Sequence, residues 1–163
     1  MKIIIGLFLC TLSLSVVAAF PVVPMAPDQQ SALVDSGPPE LAANKRLVYD
    51  LYRMVMAGQL DKLDTVASRE NWVNHNPNEA SGYDGMIEYL RNAFGDAAGP
   101  LPDTLPGLVT IVAENDTVVL AFARTFDHPE KPGETYSSTW FDMFRIEDGK
   151  VVEHWDPATL HPE

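Results

Sequence analysis

Apolar residues recur along this chain at helical spacing in its first half and at strand spacing in its second half. One helical stripe predicts a helix that begins near Pro39 and ends at Gly58, and another predicts a helix over residues 81–97. A strand-like segment at 70–77 lies between them. From Leu108 onward, alternating segments predict consecutive antiparallel strands. This order indicates an α+β domain, in which N-terminal helices pack on one face of a curved antiparallel sheet.

The last two predicted strands carry the residues of greatest chemical interest. They flank Asp148-Gly149, a strong hairpin signal. One face of the first strand is apolar apart from a single carboxylate: Trp140, Asp142, Phe144, Ile146. We take this face as buried. Asp142 should then be either neutral or partnered, because burying an unpaired charge costs several kcal/mol.

The turn of this hairpin decides which residue lies opposite Asp142. A two-residue turn would place Trp155 there, whereas a bulged three-residue turn would place His154 there. We favour the bulged turn, because the plain turn would put Glu153 on the apolar face. The three ionisable side chains of the hairpin would then share one concave surface: Asp142, His154 and Asp156.

Residues 1–19 are predicted to be a signal peptide and not part of the fold. Their apolar stretch is too short to span a membrane, and Val17-Ala18-Ala19 fits a cleavage site near Ala19. With this signal the mature chain is expected to be secreted or periplasmic. Cys10, the only cysteine, lies inside the apolar stretch and would be removed with it, so the mature chain is expected to fold without disulfides. Proline-rich residues 20–39 are predicted to be a flexible linker, which leaves 40–163 as the single domain.

Composition narrows the range of partners. The chain carries 11 basic and 23 acidic residues, a net charge of −12. Such a chain repels nucleic acid and anionic membrane surfaces at long range. A metal site from His75, His154 and Asp156 is conceivable, but their spacing matches no ligand pattern. Neither a metal nor an organic cofactor is therefore expected.

Three segments carry a family resemblance: WVNHNP at 72–77, DMFR at 142–145 and DGKVVEHWD at 148–156. They resemble the SnoaL-like polyketide cyclase family of the nuclear transport factor 2-like superfamily. The last segment resembles the branch of SnoaL-like aldol-condensation enzymes. The resemblance covers roughly residues 41–157 and implies a cone-shaped, cystatin-like roll with a deep apolar pocket, in proteins that are often homodimers. The superfamily also holds isomerases, dehydratases and non-catalytic binders, so the fold does not set the function.

The resemblance places the acid–base aspartate of the family on the strand of Asp142. A carboxyl group in an apolar pocket can give or take a proton beside a carbonyl group, as cyclisation, isomerisation and dehydration require. His75 is the expected helper, and His154 with Asp156 could orient a water molecule. Structural alternatives stay open: a rim position for His75, a link to the first helix for His154 and a strand-end cap for Asp156.

Aromatic side chains complete the expected pocket: Trp72, Trp140, Phe144 and Trp155, the last with a dimer interface as its alternative. Relatives in this branch often carry histidines on the strand at 118–126, where the inward positions here are taken as Ala121 and Ala123. We therefore expect an exported acid–base enzyme of the cyclase, isomerase or lyase type, acting on a small apolar ligand with an enolisable carbonyl group. A non-catalytic binder of a small apolar ligand is the alternative.

Overall fold

The computed structural model describes residues 21–95 and 97–160. The helices there are α1 (Pro27–Val34), α2 (Pro39–Met56) and α3 (Tyr83–Phe94), with a 3₁₀ helix at Leu60–Thr65. The strands are β1 (Val73–Asn74), β2 (Leu108–Glu114), β3 (Thr117–Asp127), β4 (Thr135–Glu147) and β5 (Lys150–Trp155). The predicted signal peptide at 1–19, with Cys10, lies outside the described residues. Within those residues, every helix is too short or too polar to cross a membrane.

The five strands form one curved sheet in the order β1-β5-β4-β3-β2. Strands β2 to β5 pair antiparallel in chain order, and the short β1 runs parallel to β5. The predicted α+β architecture is confirmed. Two elements are shorter than predicted. The segment 70–77 contributes only two strand residues, and α3 lies between Gly82 and Gly95, whose positive φ angles end the helix at both sides.

Helix α2 packs against the sheet and forms the centre of the core. It contacts β2, β3 and β5. Val48, Leu51 and Val55 from its apolar stripe belong to one buried cluster with Leu120 and Phe144 of the sheet. Burying a valine or leucine side chain contributes about 1.5–3 kcal/mol. The stripe that predicted α2 is therefore also what holds it to the sheet.

Part of the predicted linker at 20–39 is helical instead, because residues 27–34 form α1, which is packed into the fold. Val34 is fully buried and Gln30 is 3% exposed. The Gln30 amide donates to the Leu105 carbonyl at 3.0 Å and accepts from the Leu105 amide at 2.9 Å. It also accepts a hydrogen bond from the Tyr49 hydroxyl at 2.9 Å. Composition could not show this, because the partners of Gln30 lie in distant segments of the chain.

Candidate active site

The helices and the inner face of the sheet border a cavity of about 470 Å³. This volume is typical of sites for small organic molecules. Apolar and aromatic side chains form most of its wall, among them Tyr52, Trp72, Phe126, Trp140 and Phe144. Acidic and basic side chains interrupt the wall at five positions: Glu79, Arg124, Asp142, His154 and Asp156. The deep apolar pocket expected from the resemblance is therefore present.

The β4–β5 hairpin brings its ionisable residues to this cavity by a different register from the one we favoured. The turn at Asp148-Gly149 has two residues, with φ angles of 50° and 72°. A bulge at Val152 supplies the extra residue instead, and His154 pairs with Phe144 and not with Asp142. The predicted three-residue turn is wrong. The predicted shared face of Asp142, His154 and Asp156 is present nevertheless. One extra residue, whether in the turn or at a bulge in β5, moves His154 and Asp156 to the face of the sheet on which Asp142 lies.

Asp142, which is buried, and His154, which is half-buried, form a pair in the cavity wall. Asp142 Oδ1 accepts a hydrogen bond from Trp140 Nε1 at 3.1 Å and lies 3.3 Å from His154 Nε2. Its other oxygen, Oδ2, is buried without a hydrogen-bond partner. His154 Nδ1 lies 2.9 Å from Asn74 Oδ1. An amide oxygen can only accept a hydrogen bond, so His154 Nδ1 carries a hydrogen. A hydrogen bond between His154 Nε2 and Asp142 Oδ1 needs a second proton, which lies on one of these two atoms.

Asp156 combines the two roles considered for it. It lines the cavity, and it also caps the end of β5. Its Oδ2 accepts from Asn76 Nδ2 at 2.8 Å, and its Oδ1 accepts from the Ala158 amide at 3.0 Å. Asn76 is 5% exposed. The WVNHNP segment therefore contributes both of its asparagines, Asn74 and Asn76, to the site.

His75 and Trp155 do not line the cavity, contrary to prediction. Asn74 reaches the site, so the next residue, His75, faces the outer side of the sheet. There the His75 ring stacks on Trp155 at a centroid distance of 5.0 Å, and its Nε2 lies 2.9 Å from Glu153 Oε1. His75 and then Arg145 hold the pKa of the Glu153 carboxyl below its ordinary value. His75 thus belongs to an outer ion-pair cluster and not to the candidate active site.

Tyr52 of α2 is a cavity residue that the sequence did not single out. Its hydroxyl lies near the Asp142 carboxylate and interacts with its charge, but no hydrogen bond of normal geometry joins the two groups. Burial, and then the Asp142 charge, raise the pKa of Tyr52 well above its ordinary value. The hydroxyl therefore stays protonated and can act as a hydrogen-bond donor in the cavity. Helical periodicity could not separate this tyrosine from its apolar neighbours.

Arg124 also lines the cavity and was missed because the inward face of β3 was assigned to the wrong parity. Leu120 pairs with Asp142 across the β3–β4 ladder, so the even-numbered residues of β3 face inward and Ala121 does not. The Arg124 guanidinium lies over the Trp140 ring, 4.3 Å from its centroid. The alternation of inward and outward residues in β4 would have placed Arg124 on the inward face if the pairing of β3 with β4 had been known.

Glu79 is the third residue that the sequence did not reveal. Its Oε1 is buried without a hydrogen-bond partner, as are Trp72 Nε1 and Asn74 Nδ2 beside it. Burial raises the pKa of Glu79 from 4.5 to about 7, against smaller opposing effects of His154, Trp72 and Asn74. Near neutral pH the carboxyl group is therefore present in both protonation states. Nothing in the local sequence around Pro77 distinguishes this glutamate from an exposed one.

A comparison with protein families shows the family of the chain. The model of the SnoaL-like domain matches residues 48–154. The chain belongs to the SnoaL-like family. The matched segment of this SnoaL-like domain includes Tyr52, Glu79, Asp142 and His154. A comparison with curated proteins gives no significant match.

Solved structures share the fold of this SnoaL-like domain. A Bacillus cereus protein provisionally classed as a polyketide cyclase aligns with a TM-score of 0.53 and 15% identity, covering 90% of each chain. An M. tuberculosis LEH-like epoxide hydrolase has a TM-score of 0.51 and 15% identity, covering 72% of this chain and 84% of its own. AclR from Streptomyces galilaeus, provisionally classed as a hydroxylase, has a TM-score of 0.51 and 26% identity, covering 75% and 78%. The predicted fold class is confirmed.

Three residues of the SnoaL-like domain could together contact a metal ion. Asp142, His154 and Asp156 each offer a ligand atom, and these atoms lie within 4.8 Å of one another. Both Asp156 oxygens, however, already accept hydrogen bonds from Asn76 and Ala158. His154 Nε2 faces Asp142 directly. The Asp156 oxygens and His154 Nε2 thus already have partners in the protein, whereas Asp142 Oδ2 has none. The expectation that the site needs no metal or organic cofactor stays a prediction.

Proposed function

We propose that this protein is a cofactor-independent acid–base enzyme acting on an apolar compound with an enolisable carbonyl group. The observation that carries the proposal is Asp142 Oδ2, a buried oxygen without a hydrogen-bond partner in an apolar cavity. A buried acceptor that lacks a partner costs about 1–3 kcal/mol. Trp140 and His154 hold the other oxygen in place. The free oxygen is thus positioned to receive a proton from a bound ligand.

The cavity residues can divide the reaction among them. Asp142 Oδ2 would remove a proton from the carbon next to the carbonyl group. The Tyr52 hydroxyl would donate a hydrogen bond to the carbonyl oxygen as negative charge develops there. His154 would donate a hydrogen bond from Nε2 to Asp142 Oδ1, which lies 3.3 Å away, and would hold the carboxylate in place while Oδ2 takes the proton. Its ring is held by Asn74 and stacks on Phe144 at a centroid distance of 4.7 Å.

The proposal can be tested by hydrogen–deuterium exchange beside the carbonyl group of 2-tetralone, an apolar bicyclic ketone, followed by proton NMR in deuterated buffer. The wild type should accelerate exchange, and Asp142→Asn should lose about a hundredfold to ten-thousandfold of the rate while binding of the ketone survives. Asp127→Asn, at the exposed end of β3, is the matched control and should exchange at the wild-type rate. Equal rates for wild type and Asp142→Asn on 2-tetralone and a panel of other apolar ketones would refute the proposal.

A non-catalytic binder of a small apolar ligand is the second candidate. The inner face of β3 supports it, because Leu120 and Phe122 are apolar on the strand where relatives in this branch often carry histidines. A binder would hold 2-tetralone without accelerating exchange. Asp142→Asn would then keep or improve the affinity, because the substitution removes a buried charge.

Export is a further part of the proposal, and it rests on the signal pattern of residues 1–19. The mature chain should begin near Phe20 and be secreted or periplasmic. Mass spectrometry of material from the medium or periplasm would measure its first residue. An intact Met1 on protein recovered from the cytosol would count against export.

Self-association as a homodimer is the last part of the proposal. Val112 and Phe141 lie on the outer face of the sheet and are 52% and 54% exposed. Exposed apolar side chains on one sheet face are typical of an interaction surface. Phe141→Lys should convert a dimer to a monomer in size-exclusion chromatography with light scattering. A dimer that survives this substitution would exclude this face as the interface.

A further inference from the structure

Glu79 lines the cavity but takes no part in the steps proposed above. Its neighbours there, Trp72 Nε1 and Asn74 Nδ2, are N–H groups that only donate hydrogen bonds. Asn74 points its oxygen the other way, to His154 Nδ1 at 2.9 Å. Asn74 thus separates two titratable groups of one cavity. Glu79 lies on one side of its amide, and the pair of His154 and Asp142 lies on the other.

Burial and the charges around it leave the Glu79 carboxyl group able to hold a proton at neutral pH. Burial is the largest influence and raises the pKa of the carboxyl to about 7. His154 acts in the opposite direction, and the Asp156 carboxylate adds to the increase. The adjoining Trp72 and Asn74 donors are neutral, and they lower the pKa of Glu79 less than burial raises it. Glu79 is therefore an acid that is separate from the Asp142–His154 pair.

We propose that Glu79 is a second proton-transfer group of this cavity, and that the substrate is a β-hydroxy carbonyl compound that loses or gains water. This inference rests on the proposed function, because it assigns Asp142 as the base. Isomerisation can return a proton from the same base that removed it, and it needs no second acid. Departure of a hydroxyl group does need one, because hydroxide is a poor leaving group. Two acid–base groups on one apolar cavity fit elimination better than isomerisation.

The atoms and electrons balance in the elimination. Asp142 Oδ2 takes the proton from the carbon next to the carbonyl group, and the electron pair of that C–H bond forms the new C=C bond. The bond between the β-carbon and the hydroxyl oxygen breaks, and Glu79 gives its proton to that oxygen, which leaves as water. Asp142 then holds one proton more and Glu79 one fewer. Exchange with solvent restores both groups, and the reverse sequence adds water.

The decisive variant is Glu79→Gln, with Glu70→Gln at an exposed position as the matched control. The probe is 4-hydroxy-4-phenylbutan-2-one, whose dehydration gives a conjugated enone that absorbs in the ultraviolet. Glu79→Gln should lose about a hundredfold or more of the dehydration rate, while Glu70→Gln keeps it. Exchange of 2-tetralone, which has no leaving group, should stay within about tenfold of wild type in Glu79→Gln. Glu79→Asp, which keeps a carboxyl group, should recover part of the dehydration rate.

A second measurement does not depend on turnover. In protein labelled with ¹³C at glutamate carboxyl groups, one signal should titrate near pH 7 in the wild type and in Glu70→Gln. The signal should be missing in Glu79→Gln. If Glu79→Gln does not fold, as circular dichroism would show, the titration of wild-type protein and the rate of Glu79→Asp decide the question.

Three results would overturn the role of Glu79. The first is a dehydration rate in Glu79→Gln within about threefold of the wild-type rate. The second is the absence, in the wild-type protein, of a glutamate signal that titrates near pH 7. The third is a wild-type protein that exchanges 2-tetralone but does not dehydrate the hydroxyketone. The last result leaves the proposed function intact. Failure of both reactions overturns both proposals.

Discussion

Glu79 should make the folded protein less stable as pH rises, and Glu79→Gln should remove this dependence. Burial raises the pKa of the folded carboxyl from its ordinary 4.5 to about 7. Below 4.5 the group is protonated in both the folded and the unfolded state. Between 4.5 and 7 the folded state holds a proton that the unfolded state has lost, so the free energy of unfolding falls as pH increases. Above 7 this contribution has been lost completely.

The size of the effect follows from the same values. The full increase in the pKa corresponds to about 3 kcal/mol of unfolding free energy. Glu79 is only part-buried, so solvent screening reduces the figure, and we expect about 1.5–2 kcal/mol. Glutamine keeps the shape of the side chain but carries no charge at any pH, so the variant avoids this loss.

Urea unfolding at about pH 4 and about pH 8 would measure the prediction. Wild type and Glu79→Gln should have similar stabilities at the lower pH, and the variant should be more stable by about 1.5–2 kcal/mol at the higher pH. Other carboxyl groups titrate over the same range, so the difference between the two proteins is the quantity to compare. The exposed Glu70→Gln should follow the wild type. Parallel curves for wild type and Glu79→Gln across this range would refute the reasoning.

Three further substitutions test other features of the structure. Val34→Ala should lower the free energy of unfolding by about 1–3 kcal/mol, because Val34 is fully buried. Val23→Ala is the control and should leave the free energy of unfolding unchanged, because Val23 is 73% exposed. Equal effects of the two substitutions would restore the linker interpretation. His75→Ala should exchange 2-tetralone at the wild-type rate because its ring lies on the outer face, and a large loss would return His75 to the site. Trp140→Phe should cost about 1 kcal/mol in urea unfolding through the lost hydrogen bond to Asp142, and an unchanged midpoint would show that this bond is not stabilising.

Local patterns were sufficient to predict α2, α3, the consecutive antiparallel strands and the class of the fold, but not α1. The apolar stripe of α2, its stop at Gly58 and the alternation in β2 to β5 depend on residues close together in sequence, so they can be read without knowing the partners. The parity of β4 likewise identifies Asp142 as an inward carboxylate, and it is 3% exposed. The SnoaL-like family could be recognised for the same reason, because its short segments are local.

Contacts between distant segments control the rest of the site. The position of the bulge depends on how β5 fits against β4, and both Val151 and Val152 are buried around it, which no turn signal reveals. His75 faces outward because β1 pairs in parallel with β5, a register that two residues of strand cannot specify. Burial in the cavity raises the pKa of Glu79 to about 7, against the lowering effects of His154 and Trp72, and Gln30 holds α1 through Leu105. Burial and long-range pairing are properties of the packed chain, so residues whose chemistry depends on them look ordinary in the sequence.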